Sequence, residues 1–207
     1  MISDNTASLI TGTDTREYFR EVLENALTNQ HVNVCAETLF YLINLLTGFV
    51  RTERLFDPTP DGNMIRPLAM LYGEAMQAET PGDRDMALQR LGDISLYISG
   101  LFSGSLSRSL VDVDYYIAMG GNAYGQLAES ERLSRTSRIL RTVFNELARG
   151  FAAFVDILAE VGAQTHLNRD SDIMRLYEIW LSSGSSHAYG KLQRLGIQPV
   201  AVRRASH

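Results

Sequence analysis

Apolar residues recur along this chain at helical spacing, and nowhere do they alternate for long with a period of two. Tyr18, Val22 and Ala26 run beside Phe19, Leu23 and Leu27 as one stripe, and Asp14 with Glu17 has the spacing of a capping box, so a helix is predicted from Asp14. A second predicted helix, over 36–54, carries Leu39, Phe40, Leu42, Ile43, Leu45, Leu46, Phe49 and Val50. It is apolar on nearly every side and belongs in the centre of a bundle. Asp57-Pro58-Thr59-Pro60-Asp61-Gly62 predicts a loop. Pro67 suits the first turn of a third helix, whose buried stripe is Leu68, Leu71, Tyr72, Ala75 and Met76. Thr80-Pro81-Gly82 turns the chain into a fourth helix over 83–102, and a fifth follows over 107–128. The strongest pattern is Leu140, Phe144, Leu147, Phe151, Phe154, Leu158 and Val161, a heptad seam that predicts one helix over 136–161. Shorter helices are predicted over 170–181 and 186–195.

These elements make an all-α, single-domain bundle of about six to eight mostly antiparallel helices. The bundle is expected over 14–196, around the helices at 36–54 and 136–161, with a flexible arm over 1–13 and a tail over 197–207.

Composition narrows the function classes. An apolar share of 45% and a charged share of 21% are those of a globular protein. The net charge is −5 and no basic block occurs, so nucleic acid is not an expected partner. The most apolar stretch, Leu39 to Val50, falls short of the roughly 20 residues that span a bilayer, and no membrane association is expected. The single cysteine, Cys35, rules out an intramolecular disulfide and suits a reducing cytoplasm.

The usual catalytic patterns are missing. None of His31, His166, His187 and His207 has an acidic residue three positions before it, as a di-iron bundle requires. Asp112 and Asp114 stand two apart, which points them to different sides of a helix. Cys35 lies at a helix start with no evident base. No catalytic residue, metal ligand or cofactor is expected.

Two segments stand out. In the first, Gly120 and Gly121 fall inside a helix, where each costs roughly 1 kcal/mol relative to Ala. Either they admit a neighbouring helix, with the surrounding tyrosines at the core boundary and their hydroxyls wet, or they mark a ligand pocket. On the second reading the pocket lies between the helices at 83–102 and 107–128, with Asp93, Tyr97, Arg108, Tyr116, Asn122 and Tyr124 as ligand-binding residues. The second segment, Leu176 to Ser185 followed by His187 to Leu195, holds the only tryptophan, Trp180.

Leu91-Gly92-Asp93, Leu96 to Phe102, Tyr115-Tyr116 with Met119-Gly120, Ala123-Tyr124, and Tyr177-Glu178 with Trp180-Leu181 resemble a group of uncharacterised bacterial helical proteins of no established activity. The resemblance covers about half of the chain. It implies a bacterial, cytoplasmic protein and assigns no role to any of these residues.

The expectation is a cytoplasmic interaction or regulatory protein without enzymatic activity, acting by binding another protein. The heptad seam can also serve a homodimer. The alternative is a small-molecule or cofactor binder, of haem-oxygenase-like shape if an enzyme.

Overall fold

Thr80 and Pro81 begin the helix around which the others are arranged. The Thr80 hydroxyl accepts from the Asp83 backbone N–H at 3.1 Å and donates to the Asp83 carboxylate at 2.6 Å, satisfying a free donor of the first turn. The computed structural model describes residues 3–50, 57–59, 62–64, 67–102, 112–130 and 138–164, together with Tyr177, Trp180, Tyr189, Gly190, Leu192 and Gln193.

Among the described residues the helices are α1 (Ser3–Asn29), α2 (Ala36–Val50), α3 (Leu68–Gln77), α4 (Pro81–Leu101), α5 (Val113–Ala128), α6 (Arg138–Arg149) and α7 (Phe151–Gln164). The chain is an all-α bundle. Two three-residue strands, β1 (Asp57–Thr59) and β2 (Gly62–Met64), pair antiparallel where the sequence predicts a loop. No described helix is long and apolar enough to cross a membrane.

The centre of the bundle differs from the expectation. It is α4, buried almost without interruption from Leu91 to Gly100 and packed against α2, α3, α5 and α7. Apolar content points to 36–54, yet α2 leaves Phe40 more than half exposed. Small residues decide the matter. A Cβ on Gly92 would lie 2.5 Å from the Tyr124 ring, and one on Gly100 would lie 2.4 Å from Leu158. Neighbouring helices therefore approach α4 more closely than any larger side chain would allow.

The seam is buried, with Phe144, Leu147, Phe151, Phe154, Leu158 and Val161 all in the core. It is carried by two helices instead of one, because Gly150 interrupts the predicted helix with a turn. Its first member, Leu140, is exposed. The other members of the seam pack within the chain's own core.

Two boundaries also differ. Helix α1 starts at Ser3, upstream of Asp14, since no proline stands in its path and Gly12 alone is a weak breaker. Helix α5 starts at Val113, and Asp112 is its N-cap, not a residue of its face, accepting from the Val113 N–H at 2.6 Å. Helix α1 ends with His31 in the left-handed region (φ 57°), where Val32 N–H bonds Leu27 C=O and His31 N–H bonds Thr28 C=O, as in a Schellman motif.

Tyr177, Trp180, Tyr189 and Leu192 are helical, with Tyr177 and Leu192 buried and Trp180 packed edge-on to Tyr177. The bounds of the helices expected over 170–181 and 186–195, and the tail over 197–207, lie outside the described residues.

Candidate functional site

Five helices bring one polar cluster together inside an aromatic wall. Asp93 projects from α4, and two tyrosine hydroxyls donate to its Oδ1: Tyr41 of α2 at 2.5 Å and Tyr124 of α5 at 2.7 Å. Gln89, one turn before Asp93, donates its amide to the Tyr41 hydroxyl at 3.2 Å. Phe144 of α6 stacks on Tyr124 at 5.7 Å and meets the edge of Tyr41 at 5.7 Å. Phe151 of α7 closes the wall, its centroid 5.9 Å from that of Tyr124.

The glycines fix this geometry. Gly92 lets the Tyr124 ring lie flat against α4, which carries the hydroxyl to the neighbouring Asp93. Gly120 does the same for Phe151, since a Cβ there would fall 2.3 Å from the Phe151 ring. Gly120 thus admits the helix after Gly150. Gly121 makes only ordinary contacts, the nearest atom being 3.7 Å away.

Loss of water raises the Asp93 pKa from 3.8 to about 6, against the two tyrosine hydrogen bonds and the Arg90 guanidinium, all of which favour the carboxylate. Burial, with Asp93 alongside, pushes both tyrosines well above their usual value, so they remain hydrogen-bond donors at any ordinary pH.

Asp93 opens on a pocket of about 460 Å³ between α2 and α4, lined by Tyr41, Asn44, Leu45, Gly48, Phe49, Gln89, Arg90 and Asp93. Between α4 and α5, where the sequence places the pocket, the Tyr124 ring packs directly on Gly92. Of the six residues proposed from sequence, the structure brings together Asp93 and Tyr124. Tyr97 is buried in the core, stacked on Phe49 at 4.5 Å. Tyr116 is half-buried beside Tyr115, and Asn122 is exposed and accepts from Gln126. Arg108 lies outside the described residues.

Sequence reasoning missed Tyr41, Asn44, Gln89 and Arg90. The signal was present: Tyr41, Asn44 and Gly48 share one face of an otherwise apolar helix, and Gln89 stands one turn before Asp93. Cys35 also has a partner that sequence did not offer. Its thiol donates to Glu146 of α6 at 3.2 Å, and the same carboxylate accepts from the Cys35 N–H at 3.3 Å, so Glu146 caps the start of α2.

A second concavity, of about 510 Å³, runs between α2 and α6 along Ala36, Phe40, Ile139, Leu140 and Val143. Among the described residues no group of three or more His, Cys, Asp or Glu could hold a metal ion. No protein-family profile, no curated protein and no solved structure matches the chain.

Proposed function

We propose that the protein binds a small polar molecule in the pocket between α2 and α4, with Asp93 as the principal contact. One observation carries this reading. A carboxylate has been drawn out of water at a cost, both tyrosine hydroxyls hold the same oxygen, and Oδ2 accepts from neither, in a residue that lines a pocket of ligand size. A cluster serving stability alone gains nothing by opening onto such a cavity. The reading keeps the protein in the cytoplasm, where the lone thiol of Cys35 stays reduced.

The test is a ligand-observed NMR screen of polar fragments against the parent and Asn44→Leu, which narrows the pocket without touching the Asp93 hydrogen bonds. Fragments that bind the parent and are lost with Asn44→Leu are the expected result. Fragments that bind both proteins equally, or no binding at all, would sink the reading.

A second reading, recognition of another protein, is favoured by the groove between α2 and α6. Phe40 and Ile139 are 56% and 52% exposed there, and both lie beside Leu140. Such a strip fits the apolar face of a partner's amphipathic helix. Under this reading Phe40→Glu removes binding of that partner without unfolding the chain, because the side chain already faces water.

A further inference from the structure

Over its whole length α2 has one charged residue, Glu37 in its first turn, and α6 begins with Arg138. The two helices run antiparallel. Cys35, just before α2, meets Glu146 near the end of α6, while Asn44, two turns into α2, lines the same groove as Ile139 and Leu140 from the first turn of α6. The starts of the two helices therefore lie at opposite ends of the groove, with Glu37 at one and Arg138 at the other. Both side chains are exposed, and among the described residues neither forms an ion pair. Glu37 stands where a helix favours an acid, but Arg138 lies in a first turn, where the dipole opposes a cation. The other charges of α6 are turned to its neighbours: Arg141 and Arg149 line the concavity toward α5, and Glu146 caps α2. Between the two ends the groove is apolar, with Phe40 and Ile139 more than half exposed beside Ala36, Leu140 and Val143.

We propose that this groove is filled by a second copy of the chain, in a two-fold dimer whose axis passes obliquely across its middle. The inference rests on the protein-recognition reading of the groove and commits that reading to one partner. In an isologous interface the same patch meets itself, so whenever residue i touches residue j of the other copy, j touches i. An oblique axis exchanges the two ends of the groove together with its two walls. Glu37 of each copy then comes to Arg138 of the other, and Phe40 of each covers Ile139 and Leu140 of the other. One surface thus supplies both members of every contact: an acid and a base at opposite corners, and an apolar strip between them. An acidic partner would leave Glu37 facing its like, and a basic one would do the same to Arg138. An apolar middle inside a charged rim is also how homodimer interfaces are built.

The experiment is sedimentation equilibrium of the full chain from about 1 µM to about 1 mM, the range of weak to moderate association. The parent is expected to show a monomer–dimer equilibrium that Phe40→Glu removes. Glu37→Arg and Arg138→Glu should each raise the dimer Kd about tenfold, because one reversal creates two like-charge contacts in a symmetric dimer. The double reversal should return the Kd to within about threefold of the parent, as a coupled pair requires. All three positions are exposed, and an acid at 138 suits the first turn of α6, so loss of the dimer there is not loss of the fold. A dimer that survives Phe40→Glu, or a double reversal no better than the single ones, means that the chain pairs through another face and overturns the proposal. A parent that stays monomeric throughout overturns the second copy, and the fluorescence of the apolar dye anilinonaphthalene sulfonate then decides the wider reading. Dye enhancement that Phe40→Glu abolishes leaves the groove as a surface for a different protein. Equal fluorescence from both proteins sinks the protein-recognition reading as well.

Discussion

At Asp93 the balance of burial against hydrogen bonding sets a sign that can be measured. Its pKa in the folded chain, about 6, lies above the 3.8 of an ordinary aspartate. Between those values the folded protein keeps a proton that the unfolded chain has released, so stability falls as pH rises through this window. The full extent is about 3 kcal/mol, from about 1.4 kcal/mol per unit of pKa. Glu160 acts in the opposite sense, because the side-chain amides of Gln30 and Asn29 hold it below its usual value and its contribution is lost as pH falls. Comparing urea denaturation of the parent with Asp93→Asn from pH 4 to 7 therefore isolates Asp93, since Glu160 is common to both. The difference between the two should change steadily across the interval; a constant difference would mean that the carboxyl is not desolvated. Tyr124→Phe sharpens the point. Sequence alone suggests a boundary tyrosine with a wet hydroxyl, but the residue is fully buried and its hydroxyl holds Asp93. Removing that donor should cost about 1–3 kcal/mol and move the Asp93 pKa above about 6, read by ¹³C NMR of the carboxyl. Asp93 and Tyr124 are visible in the sequence because each sits in a run of glycine and tyrosine. Tyr41 is harder to pick out, because eight apolar neighbours make it look like one more core aromatic and only its shared face with Asn44 and Gly48 sets it apart.

At the level of single helices, periodicity finds where a helix lies but not where it breaks. The seam from Phe144 to Val161 keeps its spacing straight across Gly150, so nothing in the apolar pattern announces the turn that divides α6 from α7. The end of α1 is legible only in outline for a similar reason. Leu27, Thr28, His31 and Val32 form a Schellman closure in which His31 takes a conformation that glycine adopts without strain. His31→Gly should accordingly raise stability by about 0.5–1 kcal/mol, since the left-handed cost to an L residue outweighs the added freedom of the unfolded chain. A lower denaturation midpoint in the variant would show that the histidine ring, not the backbone, is what matters there. Gly120→Ala is expected to go the other way. Its new methyl would press on Phe151 and Ser95, the nearest Phe151 atom being 2.3 Å from its position, and overpacking of this kind costs about 1–3 kcal/mol. Gly121→Ala, with its nearest neighbour at 3.7 Å, should be stabilising or neutral on helix propensity. The two glycines are indistinguishable in sequence and opposite in the fold.

Across the whole molecule, apolar content is a poor guide to which helix sits in the middle. The place goes to α4, whose Gly92, Ser95, Ser99 and Gly100 give its neighbours room, while the more apolar α2 keeps one face on the pocket and Phe40 in water. A consequence is that the core and the polar cluster share a wall. Phe151 is buried, fills the space over Gly120 and lies beside the Tyr124 ring that presents its hydroxyl to Asp93. Phe151→Ala should cost about 3–5 kcal/mol, the transfer of the ring plus the cavity it leaves. The second effect is specific to this arrangement. With its backing gone, Tyr124 is free to swing toward the cavity and water can reach Asp93, so the carboxyl should return from about 6 toward 3.8. Measuring both in one variant separates two structures that share the same stability loss. If the denaturation midpoint falls while the Asp93 pKa stays near 6, the wall is divisible and the cluster is held by Phe144, Tyr41 and α4 alone. If both move together, the aromatic core sets the electrostatics of the pocket, and a core substitution that never touches a ligand would still alter what the pocket binds.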